Sequence, residues 1–359
     1  MRESRQERLN IQEISKLANV STATVSRVLN GSAHVSEETR ERVLEVMRRT
    51  NYTPNVFARN LKKDTTRTIG IMCPETMDVY VSRAIFNVQR ELSLHNYSSL
   101  LNCTGYELED KKKGMRLLLQ KRVDAVVLIG SSFNEVNPND NDYILEAAGQ
   151  VPIVWINGTM DGENIYSAYC DDGEATYRAA KRLFRTDLGG KRTIFLYNRE
   201  SFSNKCKIKG FLTAMIESDQ PIFENSMTLC PTDQVDSVLD KLMRNPEDAA
   251  KIGAVMTSGD TLAIRVLKYF RTHGIRVPEQ IQVIGYSNSD FGNYCVPELT
   301  SIDSGVDELS REAVEILLTV LGGENVPENK VLKGRIIPRE STKAVYKELQ
   351  DEEKKENQT

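Results

Sequence analysis

The sequence is short of several things, and each shortage closes off a class of function. No apolar run approaches the ~18 residues that a membrane-crossing helix needs, so no membrane partner is expected. The opening MRESRQERLNIQ has no apolar core of the kind a secretory leader carries, and a cytoplasmic location is the expectation. There are only three histidines, and the six cysteines (Cys73, Cys103, Cys170, Cys206, Cys230, Cys295) include no CxxC pair. That excludes a recognisable zinc constellation, and no metal is assigned. Scattered thiols in such a chain are expected to be reduced and to pack as small apolar groups. No GxGxxG follows the first strand, and there is no P-loop, no GxSxG and no Cys–His arrangement with a role. Hence no catalytic residue and no cofactor is expected, and the chain does not read as an enzyme. The final stretch, YKELQDEEKKENQT, lacks the repeated leucines of a tetramerising coiled coil. Residues 344–359 therefore read as a solvated, frayed charged tail, and a homodimer as the assembly.

What remains is a chain of 359 residues with 40% hydrophobic and 27% charged residues, enough for two or three domains with ordinary cores. Its net charge of −4 hides an asymmetry: residues 1–68 hold 13 Lys and Arg against 8 Asp and Glu, the remainder 34 against 43. A basic head on an acidic body suits a head that meets a polyanion.

In the head, Ile11, Ile14, Leu17 and Ala18 lie on one face of a helix. Asn19 follows, where a tight turn wants a residue tolerant of the left-handed conformation. Ser21 is a plausible cap for a second helix, in which Val25, Val28 and Leu29 face inward. Thr22, Ala23, Ser26 and Arg27 share its other face, where an ordinary surface helix would carry Glu and Lys. Asn30-Gly31 ends it. A third helix begins after Ser36 and turns Val43, Val46 and Met47 inward. Three short helices, the first two joined by a tight turn, make a helix-turn-helix, whose second helix enters the DNA major groove. Short hydroxyls allow close approach, acids would be repelled by phosphate, and an Arg can bond a guanine edge bidentately. The competing reading is a small helical packing domain with Ser and Thr on its surface.

The next stretch, NYTPNVFARNLKK (51–63), places Thr53 and Pro54 at a helix start. The helix is too short to hold alone in water and needs a partner, which an identical helix on DNA would supply. From residue 68 onward the pattern is strand–helix alternation. IGIM (69–72), SLLNC (99–103), AVVLIG (125–130), PIVWI (152–156), TIFLY (193–197), AVMTS (254–258) and QVIGY (282–286) read as buried strands, with helical stretches between them. Alternation of this kind implies parallel sheets covered by helices, with ligands bound beyond the carboxyl ends of the strands.

The head resembles that of the LacI/GalR family of bacterial transcriptional regulators. The resemblance is carried by Ile11, Ile14, Ala18, Val20-Ser21, Thr24-Val25-Ser26-Arg27-Val28-Leu29-Asn30, Val35-Ser36, Thr39-Arg40, Tyr52, Pro54-Asn55, Ala58 and Leu61. It continues through the body with less density, best in GIRVPEQIQVIGYSN (274–288), PELTSI (297–302) and IIPREST (336–342). It implies an all-α helix-turn-helix head (1–53), a hinge helix and linker (54–66) and an α/β two-lobed, periplasmic-binding-protein-like body with parallel sheets (67–343). Lobe one is placed at about 67–166 plus 300–323, lobe two at about 167–299 plus 324–343.

The resemblance further implies roles at matching positions. Thr22, Ala23, Ser26 and Arg27 would face the major groove. Ser21, Asn30, His34, Tyr52 and Asn55 would lie at phosphates, and Ala58, Leu61 and Lys62 in the minor groove, with Leu61 as a wedge. Tyr80, Phe133, Asn157, Lys207, Asp260, Tyr286 and Ser287 stand at or beside effector positions. The chain departs from the family at five places: Asn19 replaces Gly, Lys207 replaces Arg, Ser287 replaces Asp, Gly259 replaces Asn, and Asn157-Gly158 replaces Asp-Arg. Fewer Asp and Arg clamps leave an unusual pocket. The implied function is a repressor that binds a pseudopalindromic double-stranded DNA operator as a dimer, under a small-molecule effector, a sugar or sugar phosphate. The alternative is a solute-binding protein of a transport or signalling system that does not act on DNA.

Overall fold

The structure is a computed structural model; it describes residues 9–29, 32–50, 52, 65–135, 137–186, 188, 191–244 and 246–343. Contacts divide the chain into Met1–Thr66 and Arg67–Thr359. In the first unit, α1 (Ile11–Leu17), α2 (Thr22–Leu29) and α3 (Glu37–Arg49) close on Ile14, Ala18, Val25, Val28, Val43, Val46 and Met47. Local chemistry sets the ends of these helices. Asn10 and Glu13 form a reciprocal capping box at the start of α1. The Ser21 hydroxyl accepts from the Thr24 N–H at 3.1 Å, and the Ser36 hydroxyl accepts from that of Thr39 at 3.4 Å. Asn19 takes the left-handed conformation (φ 51°) that the turn between α1 and α2 demands. The expected helix end at Asn30-Gly31 lies outside the described residues.

The second unit carries two six-stranded sheets. The first is ordered β11-β5-β4-β3-β1-β2, from β1 (Thr68–Cys73), β2 (Ser98–Cys103), β3 (Ala125–Ile129), β4 (Ile153–Ile156), β5 (Ile165–Cys170) and β11 (Asn329–Leu332). The second is ordered β12-β10-β9-β8-β6-β7, from β6 (Arg192–Tyr197), β7 (Met227–Leu229), β8 (Ile252–Thr257), β9 (Gln282–Tyr286), β10 (Thr300–Asp303) and β12 (Arg335–Ile337). All pairings are parallel except β10 with β12. Helices cover both faces. In lobe one, α4 (Val79–Leu94) and α12 (Val306–Leu321) pack on Ile69, Ile71, Val127 and Val154, while α5 (Leu108–Gln120) and α6 (Asp142–Ala148) cover the face that buries Trp155. In lobe two, α7 (Asp172–Phe184) and α8 (Phe202–Glu217) pack on Phe195 and Ile284. On the other side α9 (Val235–Leu242) and α11 (Asp260–Thr272) close over Val255 and Val283, with α10 (Pro246–Lys251) leading into β8.

The lobe boundaries differ from the sequence expectation. β10 hydrogen-bonds to β9, so residues 300–303 belong to the second sheet rather than the first. β11 pairs with β5, so 329–332 belong to the first rather than the second. Strand pairing decides this, and neither short strand carries its partner in its sequence. The chain crosses between lobes after β5, after β10 and after β11. At the second crossing Gly305 sits at φ +75°, and at the third a Cβ on Gly334 would lie 2.7 Å from that of Ala175.

Candidate DNA-reading face and interlobe cleft

The second helix of the head turns Val25 and Val28 into the core and leaves Ser21, Thr22, Ala23 and Arg27 exposed, with Ser26 half-buried. Its first turn contains no acid. Arg27 is exposed among small groups that would let a helix axis approach a ligand closely. His34 is also exposed. Tyr52 is half-buried against the head core, and burial raises its hydroxyl above the usual tyrosine range. Asn30, Asn55, Ala58, Leu61 and Lys62, together with the hinge helix, lie outside the described residues.

In the body, a cavity of about 330 Å³ opens between the lobes. Lobe one lines it with Tyr106, Lys111, Ser132, Asn134 and Glu135, and lobe two with Glu200, Ser201, Phe202 and Lys205. None of these nine was named from the sequence. They stand on loops after β2, β3 and β6 and on the first turns of α5 and α8, where an α/β sheet presents its ligands. The Lys111 ammonium is buried, bonded to the Glu135 carboxylate at 2.5 Å and to the Ser132 carbonyl at 2.6 Å. The Ser132 hydroxyl is buried without a hydrogen-bond partner.

None of the seven residues expected at the effector lines this cavity; Phe133, Lys207, Asp260 and Tyr286 are buried, and Tyr80, Asn157 and Ser287 half-buried. Tyr286 is buried and donates its hydroxyl to Asp172 at 2.5 Å; Ser203 donates to the other oxygen of that carboxylate. Burial first, then the Asp172 charge, holds the Tyr286 hydroxyl far above its ordinary range. The Lys207 ammonium sits 3.8 Å above the Tyr286 ring and donates to the Ser258 carbonyl at 3.3 Å. Asp260 accepts from the Ser289 N–H at 2.6 Å and the Ser301 hydroxyl at 2.6 Å; burial raises its carboxyl pKa and those bonds pull it back. The Tyr80 hydroxyl is buried with no hydrogen-bond partner, and burial together with Asp172 keeps it protonated. Asn157 and Ser287 sit at positive φ (60° and 100°) on loops after β4 and β9. Phe133 is fully buried in the core of lobe one beside Trp155. Asp172 and Ser203 were not anticipated. Both begin helices, and nothing in their local pattern says that a tyrosine 114 residues away in the chain will bond one of them.

Residues 10–55 match the model for bacterial regulatory proteins of the lacI family, and 187–342 that for a periplasmic binding protein-like domain. An HTH-type transcriptional regulator of Lachnoclostridium phytofermentans is 42% identical over 336 residues, covering 93% of this chain and 99% of that one. The chain belongs to the LacI family. It is a DNA-binding transcriptional regulator and not an enzyme, and the reading as a transport solute-binding protein gives way to that. The fold is shared with the lac repressor dimer bound to operator and the anti-inducer ONPF (TM-score 0.80, 22% identity, 94% of this chain and 99% of that one). It is shared as well with the transcriptional regulator CelR–cellobiose complex (TM-score 0.67, 24% identity, 93% and 100%). No helix among the described residues is long and apolar enough to cross a membrane.

Proposed function

We propose that this LacI-family regulator is a cytoplasmic repressor that binds a pseudopalindromic operator as a homodimer and releases or grips it according to a small molecule held between its lobes. The observation that carries the reading is the acid-free outer face of α2, with Thr22, Ala23 and Arg27 exposed above a fully formed head core. In this reading Arg27 bonds a guanine edge, Thr22, Ala23 and Ser26 fit against neighbouring bases, and Ser21, Asn30, His34, Tyr52 and Asn55 lie at phosphates. Ala58, Leu61 and Lys62 enter the minor groove from paired hinge helices, with Leu61 unstacking the central step. Two-fold protein symmetry requires two half-sites. The domain division follows: head 1–53, hinge 54–66, body 67–343, tail 344–359.

The effector is proposed to be a sugar or sugar phosphate; a fold relative is described as a complex with a sugar, cellobiose. Tyr80, Asn157, Lys207, Asp260, Tyr286 and Ser287 would form its deep wall, with Phe133 supporting them from the core. A ligand that binds one lobe arrangement better than the other shifts that equilibrium, and with it the pairing of the hinges. The test is selection of bound duplexes from a random DNA pool by the purified full-length protein. Recovery of a palindrome with a flexible central step supports the proposal. If neither the protein alone nor the protein with cell-extract metabolites enriches any sequence, the operator reading fails.

A further inference from the structure

β1 and β2 end side by side on Cys73 and Cys103, registered partners on adjacent parallel strands. Their sulfur atoms are 3.5 Å apart. Strand neighbours lie about 4.7–4.9 Å apart, within the Cα range of about 4.4–6.8 Å that a disulfide spans, so closure needs only side-chain rotation. The two thiols are unequal. Cys73 has no accessible surface, whereas Cys103 is exposed on an edge strand. Among the described residues no other two thiols touch.

We propose that Cys73 and Cys103 form a dithiol site that a small-molecule disulfide, such as oxidised glutathione, converts into an intramolecular disulfide. The Cys103 thiolate attacks one sulfur of the small disulfide, forming a mixed disulfide and expelling one small thiolate. The Cys73 thiolate then attacks the Cys103 sulfur, closing the protein bond and expelling the second. Two protein thiols are oxidised, one small disulfide is reduced to two thiols, and the two thiol protons end on the departing groups. Burial keeps Cys73 from meeting a small disulfide in solution, which leaves the first step to its exposed neighbour. It also pushes the Cys73 thiol up to about 12, so its thiolate is scarce at neutral pH and the second step relies on the 3.5 Å proximity of the two sulfurs.

The site lies where a new bond would be felt. The strands run directly into the loops that carry Glu75 and Tyr106. The Gly105 N–H donates to the Pro74 carbonyl at 2.8 Å, and the Tyr106 hydroxyl donates to Glu75 at 2.5 Å. Arg199 of lobe two stacks 3.9 Å over the Tyr106 ring and approaches the same carboxylate at 3.4 Å. A disulfide therefore ties together two loops that hold one lobe to the other. Cys103 is exposed, and exposed disulfides are readily reduced, as a reversible modification requires.

The experiment treats reduced full-length protein with oxidised glutathione at neutral pH and reads intact mass and linked peptides. Wild type should lose two hydrogens, retain no glutathione, and yield the residue 73 and residue 103 peptides joined within one chain; dithiothreitol should reverse this. Cys73→Ser should hold one glutathione on Cys103, and Cys103→Ser should leave Cys73 unmodified. The proposal is overturned if wild type keeps glutathione on Cys103, joins Cys103 of two chains, or stays reduced while Cys103 is alkylated by iodoacetamide. The wild-type result decides alone should either variant fail to fold.

Discussion

Gly210 lies inside α8, and its replacement by alanine sets two effects of opposite sign against each other. Helix propensity alone favours Ala over Gly by about 0.8–1 kcal/mol. The packing says otherwise. A Cβ on Gly210 would stand 2.0 Å from the Gly173 carbonyl oxygen, 2.8 Å from its carbonyl carbon and 3.1 Å from its Cα. These are backbone atoms of α7, with no rotamer to yield, so α7 and α8 must separate by roughly an ångström. Overpacking of this kind costs about 1–3 kcal/mol and occasionally more. Separation also forfeits dispersion along the rest of the contact, including Ala175, Ala179 and Ala214. Overpacking less the propensity gain leaves about 0–2 kcal/mol of destabilisation, and the lost dispersion adds to it, so Gly210→Ala is expected to be destabilising overall. The same shift pulls Ser203 on α8 away from Asp172 on α7 and loosens Lys207 over Tyr286, so the cleft suffers with the core. Gly149, which caps α6 at φ −66° and offers a Cβ only ordinary contacts at 3.5 Å, is the control; Gly149→Ala should stay within about 0.5 kcal/mol of wild type. The assay is urea unfolding of the body followed by far-UV circular dichroism. A Gly210→Ala midpoint equal to or above wild type would refute the reasoning.

Three further outcomes are expected. Lys207→Met removes a buried ammonium held by one carbonyl and a ring face, and should leave the melting temperature unchanged or higher while abolishing any ligand-induced shift; a loss above about 1 kcal/mol would show the charge to be fully satisfied. The Arg83 guanidinium bonds Asp307 at 2.7 and 2.6 Å and, with Asn87, holds its carboxyl below the usual range. A depressed folded pKa contributes stability above the unfolded value and loses it as pH falls through the folded one, so Asp307→Asn should cost less than about 1 kcal/mol at pH 7, since the carboxylate is half-exposed, and in acid melts the difference should start to shrink as pH drops below about 4 and vanish only below the folded pKa. At φ 51°, Asn19→Val should lower head stability by about 1–2 kcal/mol while Asn19→Gly should not, measured by thermal melts of the full chain.

The head was legible because its signals are local. The apolar spacing of Ile14, Val25 and Val28, the Ser21 cap and the left-handed Asn19 each follow from neighbours within a few residues. The central strands were legible too, since IGIM and AVVLIG are buried on both faces. β7 and β12 span three residues each, and IYSAYC in β5 mixes polar with apolar positions, so periodicity passes over them. β10 and β11 are likewise placed by strands far along the chain, β9 and β5, which is why the sequence expectation assigns 300–303 and 329–332 to the wrong lobes. The cleft is legible least. Positions such as Lys207 and Tyr286 can be aligned to a family, but the bond from Tyr286 to Asp172 arises only when α7 packs on the second sheet, and the cavity lined by Tyr106, Lys111 and Lys205 only when the two lobes meet.

The central claim is that the exposed face of α2 reads DNA. The most direct measurement is the affinity of wild type and Arg27→Ala for the selected duplex and for a scrambled one, each across a salt series. Loss of one bidentate guanine contact should weaken specific binding by about 1–3 kcal/mol and leave the salt-sensitive, sequence-independent binding nearly unchanged. Equal discrimination by both proteins would contradict the account.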